Sequence, residues 1–166
     1  MRPTSDRLRE TLFNVLSAAG ELEGTVWLDL FAGTGAVGIE AASRGARMVY
    51  FVDSSKKAAT VLRENLAALQ IIDGYEMHER EVESAVRLLD SLKVVCEFVF
   101  LDPPYANKKA YEDVLGFLSQ SSVLAENSVV IAEHDKHFDP GERFGALERY
   151  RKLEQGDAVL SFYRLA

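Results

Sequence analysis

Thr25-Val26-Trp27-Leu28-Asp29-Leu30-Phe31-Ala32-Gly33-Thr34-Gly35-Ala36-Val37-Gly38 is the stretch that decides the fold. Its first half is a short apolar run of strand length, and from Gly33 onward it reads Gly-x-Gly-x-x-Gly. Glycines in that pattern let the backbone turn sharply and let a ligand approach the mouth of the following helix. Outward from this point the chain keeps alternating short apolar runs with helical ones, as a parallel sheet covered by helices requires. Strands are predicted at 26–31, 48–53, 75–78, 97–101 and 128–133, and helices at roughly 36–44, 55–69, 81–92 and 108–119. Upstream, Leu8, Leu12, Val15 and Leu16 stand at helical spacing behind the N-cap candidates Thr4 and Ser5, giving an amphipathic helix that ends near Gly20. Downstream, 146–154 and 158–165 read as strands joined through Gln155-Gly156-Asp157, a hairpin that must add an antiparallel strand to the sheet.

The bulk properties agree with one soluble domain over residues 1–166, with no repeat, low-complexity tract or linker to divide it. A chain of this length can bury roughly 70% of the surface that its unfolded form exposes, so it needs no disulfide or metal staple. Cys96, the only cysteine, excludes an intrachain disulfide and sits in the apolar stretch Val94-Val95-Cys96, as a buried small residue would. A reducing, cytoplasmic setting is expected. No apolar run approaches membrane-spanning length, and Met1-Arg2-Pro3-Thr4-Ser5-Asp6 has no apolar signal core. The net charge of −7 argues against holding nucleic acid by bulk electrostatics alone, so such a partner would need a local basic surface.

The glycine loop fits either a dinucleotide or S-adenosylmethionine, and Asp29 separates the two. A carboxylate four residues before Gly33 would repel a pyrophosphate but attract the sulfonium and ammonium of S-adenosylmethionine. Asp53, closing the second strand 18 residues after Gly35, suits either cofactor as an acceptor for ribose hydroxyls.

The most specific signal is Asp102-Pro103-Pro104-Tyr105, reached directly from the strand Glu97-Phe98-Val99-Phe100-Leu101. Two prolines end the ladder and stiffen the backbone at the strand's carboxyl end, where ligands sit in open α/β sheets. The lone pair of an exocyclic base amine is delocalised into its ring. If the Asp102 carboxylate and the Pro103 carbonyl accept its two N–H bonds, the nitrogen can pyramidalise and aim that lone pair at a methyl group. Tyr105 would offer a flat face on which the base stacks.

Asp29 through Gly35 together with Asp102-Pro103-Pro104-Tyr105 resembles the Rossmann-like class I methyltransferases that act on amino groups. Arg2-Pro3-Thr4-Ser5-Asp6-Arg7, Arg9-Glu10-Thr11-Leu12-Phe13-Asn14, Gly38-Ile39-Glu40-Ala41 and Ser43-Arg44-Gly45-Ala46 bring the chain closer to one family. These segments resemble the bacterial 16S ribosomal RNA guanine-N2-methyltransferases over nearly the whole chain. The resemblance implies a three-layer α/β/α fold around a seven-stranded, mostly parallel sheet with an antiparallel last strand. It implies S-adenosylmethionine as cofactor, with Thr4, Asp29, Phe31, Ala32, Gly33, Thr34 and Gly35 in its pocket. Asp53 and Ser54 would lie near the ribose, Glu81 and Val82 beside the adenine, and Asp102 between cofactor and acceptor. Asp102, Pro103, Pro104 and Tyr105 match the family's reactive motif position for position, and the first 20 residues are expected to close over the cofactor. The implied partner is 16S rRNA or the assembling 30S subunit, the enzyme a monomer, with DNA adenine-N6 methylation or methylation of another amino group as the alternative.

Family members commonly carry a basic, Gly-rich arm before Arg-Pro-Thr, whereas this sequence starts at Met1-Arg2. The remaining basic candidates for RNA are Arg2, Arg7, Arg9, Lys108 and Lys109. His78, His134 and His137 form no spaced ligand set with Cys96, and methyl transfer from a sulfonium needs no metal, so none is expected. Glu133-His134-Asp135, after the fifth strand, fits either the pocket rim or, as strand-end polar residues usually do, simple contact with water.

Overall fold

The computed structural model describes residues 4–104 and 107–166. Among them Ser5 caps the first helix, its side chain accepting from the Leu8 amide at 3.1 Å, and α1 runs Asp6–Ala19 with Leu8, Leu12, Phe13 and Leu16 on its buried stripe. The Gly20 amide closes the helix by donating to the Leu16 carbonyl. Five strands follow in alternation with four helices: β1 Val26–Leu30, α2 Ala36–Ser43, β2 Met48–Val52, α3 Lys56–Ala68, β3 Tyr75–His78, α4 Val82–Ser91, β4 Cys96–Leu101, α5 Lys108–Leu118 and β5 Leu124–Asp135. The chain ends in β6 Arg143–Phe144, β7 Leu147–Gln155 and β8 Ala158–Leu165.

All eight strands form one sheet in the order β3-β2-β1-β4-β5-β8-β7-β6. The five from β3 to β5 are mutually parallel, and β8 pairs antiparallel with both β5 and β7. The seven strands anticipated are all present, and the two-residue β6 is added at the outer edge.

Strand alternation divides the core into two layers. Val26, Leu28, Leu30, Val99 and Leu101 face the side covered by α4 and α5. Trp27, Val49, Phe51, Phe100, Ile131 and Phe162 face the side covered by α1, α2 and α3. On that second side the rings of Phe13, Trp27 and Phe98 stack in sequence, with centroids 5.2 and 4.7 Å apart, and fix α1 to the centre of the sheet.

The helices start and stop within a residue of their predicted positions. β5 differs, beginning at Leu124 instead of 128. Its first residues include the exposed Ala125-Glu126-Asn127, which carry no apolar alternation. They are held by Ser128, whose hydroxyl donates to the Cys96 carbonyl and accepts from the Ala125 amide beside a register shift in β4.

For function, the strand order matters most. From β1 the chain first winds outward through β2 to β3, then returns to place β4 on the other side of β1. The carboxyl ends of β1 and β4 therefore flank the point where the winding reverses, the place where open α/β sheets bind ligands.

Candidate active site

The loop after β1 is shaped by backbone demands. Phe31 takes a φ of 58°, unusual for an aromatic residue and consistent with strain held at a site. Gly35 adopts a φ of 81°, and a Cβ there would lie 2.2 Å from the Leu62 side chain. It is therefore required by turn and packing, and it is not among the residues that line the cavity described below. Gly38 brings α2 against β2, since a Cβ would meet the Phe51 ring at 2.3 Å.

A cavity of about 620 Å³ opens at the carboxyl ends of β1, β2 and β4, within the range that holds a drug-sized ligand. Thr4, Asp29, Phe31, Ala32, Gly33, Thr34, Asp53, Ser54, Glu81, Asp102, Pro103 and Pro104 all line it. Val82 does not. As the first residue of α4 it is buried with Ala85, Val86 and Leu89 in the core layer on the other side of the sheet. Tyr105 and Arg2 lie outside the described residues. Sequence reasoning passed over Val37, Lys57, Phe100 and Asn107, which also line the wall. Of these, Asn107 is legible in retrospect as the cap of α5, its side chain accepting from the Ala110 amide.

The acids of the site follow one rule of register. Asp29 opposes Phe51 on β2 and Phe100 on β4, and Phe100 opposes Ile131 on β5. Asp53, Asp102 and Glu133 each stand two residues beyond those partners. Alternation carries them to the face of Asp29; Asp53 and Asp102 line the cavity, while Glu133 is buried behind Thr4, which lines it.

Asp29 is 2% exposed. Its Oδ2 accepts from the Gly38 amide at 3.0 Å, serving as a remote cap for α2, whose own N-cap residue, Gly35, has no side chain to offer. Burial pushes its carboxyl up to about 8, the Gly38 amide opposes the rise, and the charge of Asp53 adds to it. The sequence reading takes Asp29 as a fixed negative charge, and its burial favours the neutral carboxyl instead.

Asp53 accepts from the amides of Gly33 and Ser55, tying the glycine loop to the start of α3. Glu81 occupies the N-cap position of α4 without making a side-chain cap bond, and it is exposed on the cavity wall. Glu133, read from sequence as a strand-end acid, is 3% exposed and accepts from the Thr4 hydroxyl at 2.8 Å. Its partner lies 129 residues away, so no local pattern could have found it.

Other groups are accounted for without chemistry. Cys96 is buried, its thiol pushed up to about 12 mainly by desolvation, which makes it inert. His134 is locked among the Phe138 and Asp135 carbonyls and the Ser161 hydroxyl. Among the described residues no cluster of His, Cys, Asp or Glu could hold a metal ion. Of the basic candidates, Arg9 is committed to Asp6 and Glu40, and Lys108 lies over the Phe138 ring. Arg7 and Lys109 are exposed.

The family model described as conserved hypothetical protein 95 matches residues 1–164 of the chain. YlbH of Bacillus subtilis, provisionally named an rRNA methyltransferase, is 32% identical over 163 residues, which are 98% of this chain and 87% of YlbH. Ribosomal RNA small subunit methyltransferase D of Haemophilus influenzae is 36% identical over 138 residues, 82% of this chain and 69% of that protein. An RNA methyltransferase from Salinibacter ruber, solved with S-adenosyl-L-homocysteine, superimposes with a TM-score of 0.76 over 99% of this chain and 94% of its own, at 15% identity. That likeness is one of fold. The parallel five-strand core with its antiparallel C-terminal addition is the class I methyltransferase fold.

Proposed function

The chain belongs to the conserved hypothetical protein 95 family, and from that premise we infer that it is an S-adenosylmethionine-dependent rRNA methyltransferase. Its acceptor, on this reading, is the exocyclic N2 amine of a guanine in 16S ribosomal RNA. The observation that carries the reading is the meeting of two features: the Asp102-Pro103-Pro104 corner opens onto a cavity whose floor is a buried acid and whose rim is acidic.

The cavity fits the cofactor. The carboxyl of Asp29 can ionise against a sulfonium or ammonium, while Phe31, Val37 and Phe100 give apolar wall to an adenosine. S-adenosylmethionine would supply an electrophilic methyl group. Asp53 would accept from ribose hydroxyls, with Ser54 beside it, and Glu81 would face the adenine edge. Gly33, Thr34 and Ala32 would bring backbone close to the ligand, and Thr4 would cover it from the amino-terminal side.

At the corner, the Asp102 carboxylate and the Pro103 carbonyl would accept the two N–H bonds of the target amine and hold its lone pair toward the cavity. Pro103 is buried, so its carbonyl is held rigidly. Tyr105, next along the chain, is assigned base stacking from its sequence position. The small-subunit target follows from the name of the Haemophilus influenzae relative. Among the described residues no helix is long and apolar enough to cross a membrane.

The test is methyl transfer from labelled cofactor to 30S particles, and to protein-free 16S rRNA, from a strain lacking the modification. One guanine should take the label at N2. D102A should lower transfer by about 10²- to 10³-fold, in the range found for loss of one positioned hydrogen-bonding group, while S-adenosylhomocysteine still binds. Label confined to DNA, or full activity in D102A, would overturn the reading.

A further inference from the structure

A chain with a net charge of −7 can hold an anionic polymer only where its cations escape local neutralisation. Arg9, Arg44, Arg87, Arg143 and Arg149 are each paired with a carboxylate. Arg151 and Arg164 are arranged differently. Both are exposed, and among the described residues neither makes an ion pair: Glu148, which opposes Arg164 across the ladder, is engaged by Arg143. Each lies instead over an aromatic ring: Arg164 is 4.4 Å from the centroid of Tyr150, and Arg151 is 5.9 Å from that of Phe162. The two rings are themselves 6.2 Å apart. Phe162 is buried, while Tyr150 stays 42% exposed under the Arg164 guanidinium.

A β-bulge creates this arrangement. In β7 the register shifts between Arg149 and Arg151, so that Arg149 opposes Tyr163 while Arg151 opposes Phe162. In a regular strand residues two apart share a face, and Arg151 would join Arg149 on the side of Asp139. The extra residue turns Arg151 onto the opposite face, away from the carboxylate that neutralises Arg149. That face also carries the reactive corner. Phe162 opposes Ile131, which opposes Phe100, two residues before Asp102. At about 3.3 Å per residue and 4.8 Å per strand, the ladder lies roughly 16 Å from Asp102, within reach of a few nucleotides.

We propose that Arg151, Tyr150 and Arg164 form a contact surface for single-stranded RNA flanking the target base, the guanidiniums meeting phosphates and the Tyr150 ring stacking on a base. The inference rests on the RNA substrate of the preceding section.

The experiment compares binding of 30S particles and protein-free 16S rRNA by the full chain and by R151E/R164E, R151Q/R164Q and Y150A. R151E/R164E should weaken RNA affinity by at least about tenfold and raise KM for RNA with kcat little changed. R151Q/R164Q should flatten the slope of log affinity against log salt by about 1.4, the loss of two single-strand phosphate contacts. Y150A should weaken binding with the salt slope unchanged. S-adenosylhomocysteine affinity should stay that of the wild type in all three, showing an intact fold, and R63E/R87E, exposed charges on α3 and α4, should bind RNA normally. If the wild-type chain methylates RNA and R151E/R164E does so with unchanged KM, the surface is refuted and the substrate reading stands. If R63E/R87E loses as much affinity as R151E/R164E, a site at the ladder is refuted in favour of general charge. If the wild-type chain neither binds nor methylates RNA, surface and reading fall together.

Discussion

Asp29 shows how one side chain can be both a structural cap and a charge held in reserve. Its carboxyl, raised to about 8 by burial, is protonated at neutral pH, and a cation entering the cavity favours the ionised form. Cofactor binding should therefore release a proton. Affinity for S-adenosylmethionine should increase as pH rises toward 8, by at most about tenfold per pH unit for one linked proton, and level off above it. Calorimetry between pH 6 and 9 checks this, and D29N should bind more weakly and lose the pH dependence. The same shift acts on stability with a definite sign. Between the unfolded value of 3.8 and about 8 the folded chain holds the proton that the unfolded chain has released. The Asp29 contribution is thus fully present below 3.8 and lost as pH rises through 8. D29N keeps an acceptor for the Gly38 amide and should melt above the wild type at pH 9.

At the scale of elements, α2 depends on its closeness to β2. In G38A, helix propensity favours alanine by about 1 kcal/mol, but a methyl 2.3 Å from the Phe51 ring must displace a core side chain, costing about 1–3 kcal/mol. The clash wins because Phe51 is buried under α2 and α3 and has nowhere to go. Melting should fall by up to roughly 8 °C, and F51L in the G38A background should recover part of the loss. Elements like these were legible in the sequence because each strand and helix writes its own periodicity: Trp27 and Leu28 alternate between layers, and Leu8, Leu12 and Leu16 repeat along one stripe. Most of the anticipated pocket was legible too, because Gly33, Asp53 and Asp102 are fixed by their distance from strand ends. What was not legible depends on distant partners. The burial of Glu133 follows from Thr4, the protonation of Asp29 from its depth under α2, and the displacement of Val82 from the way α4 turns its first residue into the opposite layer. The start of β5 was hidden for a further reason, since its first turn of strand is polar and held by a single serine.

The molecule as a whole is closed by the bond from Thr4 to Glu133, which joins the start of α1 to the carboxyl end of β5 beside the cavity. A hydrogen bond to a carboxylate contributes about 1.5–3 kcal/mol. If cofactor retention depends on this closure, T4V should lower affinity for S-adenosylhomocysteine by up to roughly 10- to 150-fold, mainly through faster release, while T4S stays near wild type. Stopped-flow dissociation measures it, and T4V releasing at the wild-type rate would remove the latch from the account. The position of β8 has a consequence of another kind. It is made after β7, yet it lies between β5 and β7. On a translating ribosome the five parallel strands and helices α1 to α5 emerge first, leaving β5 with an open row of amides and carbonyls. Only when Ala158–Tyr163 leaves the exit tunnel is that edge sealed, so until then the nascent chain must be kept from pairing with its neighbours.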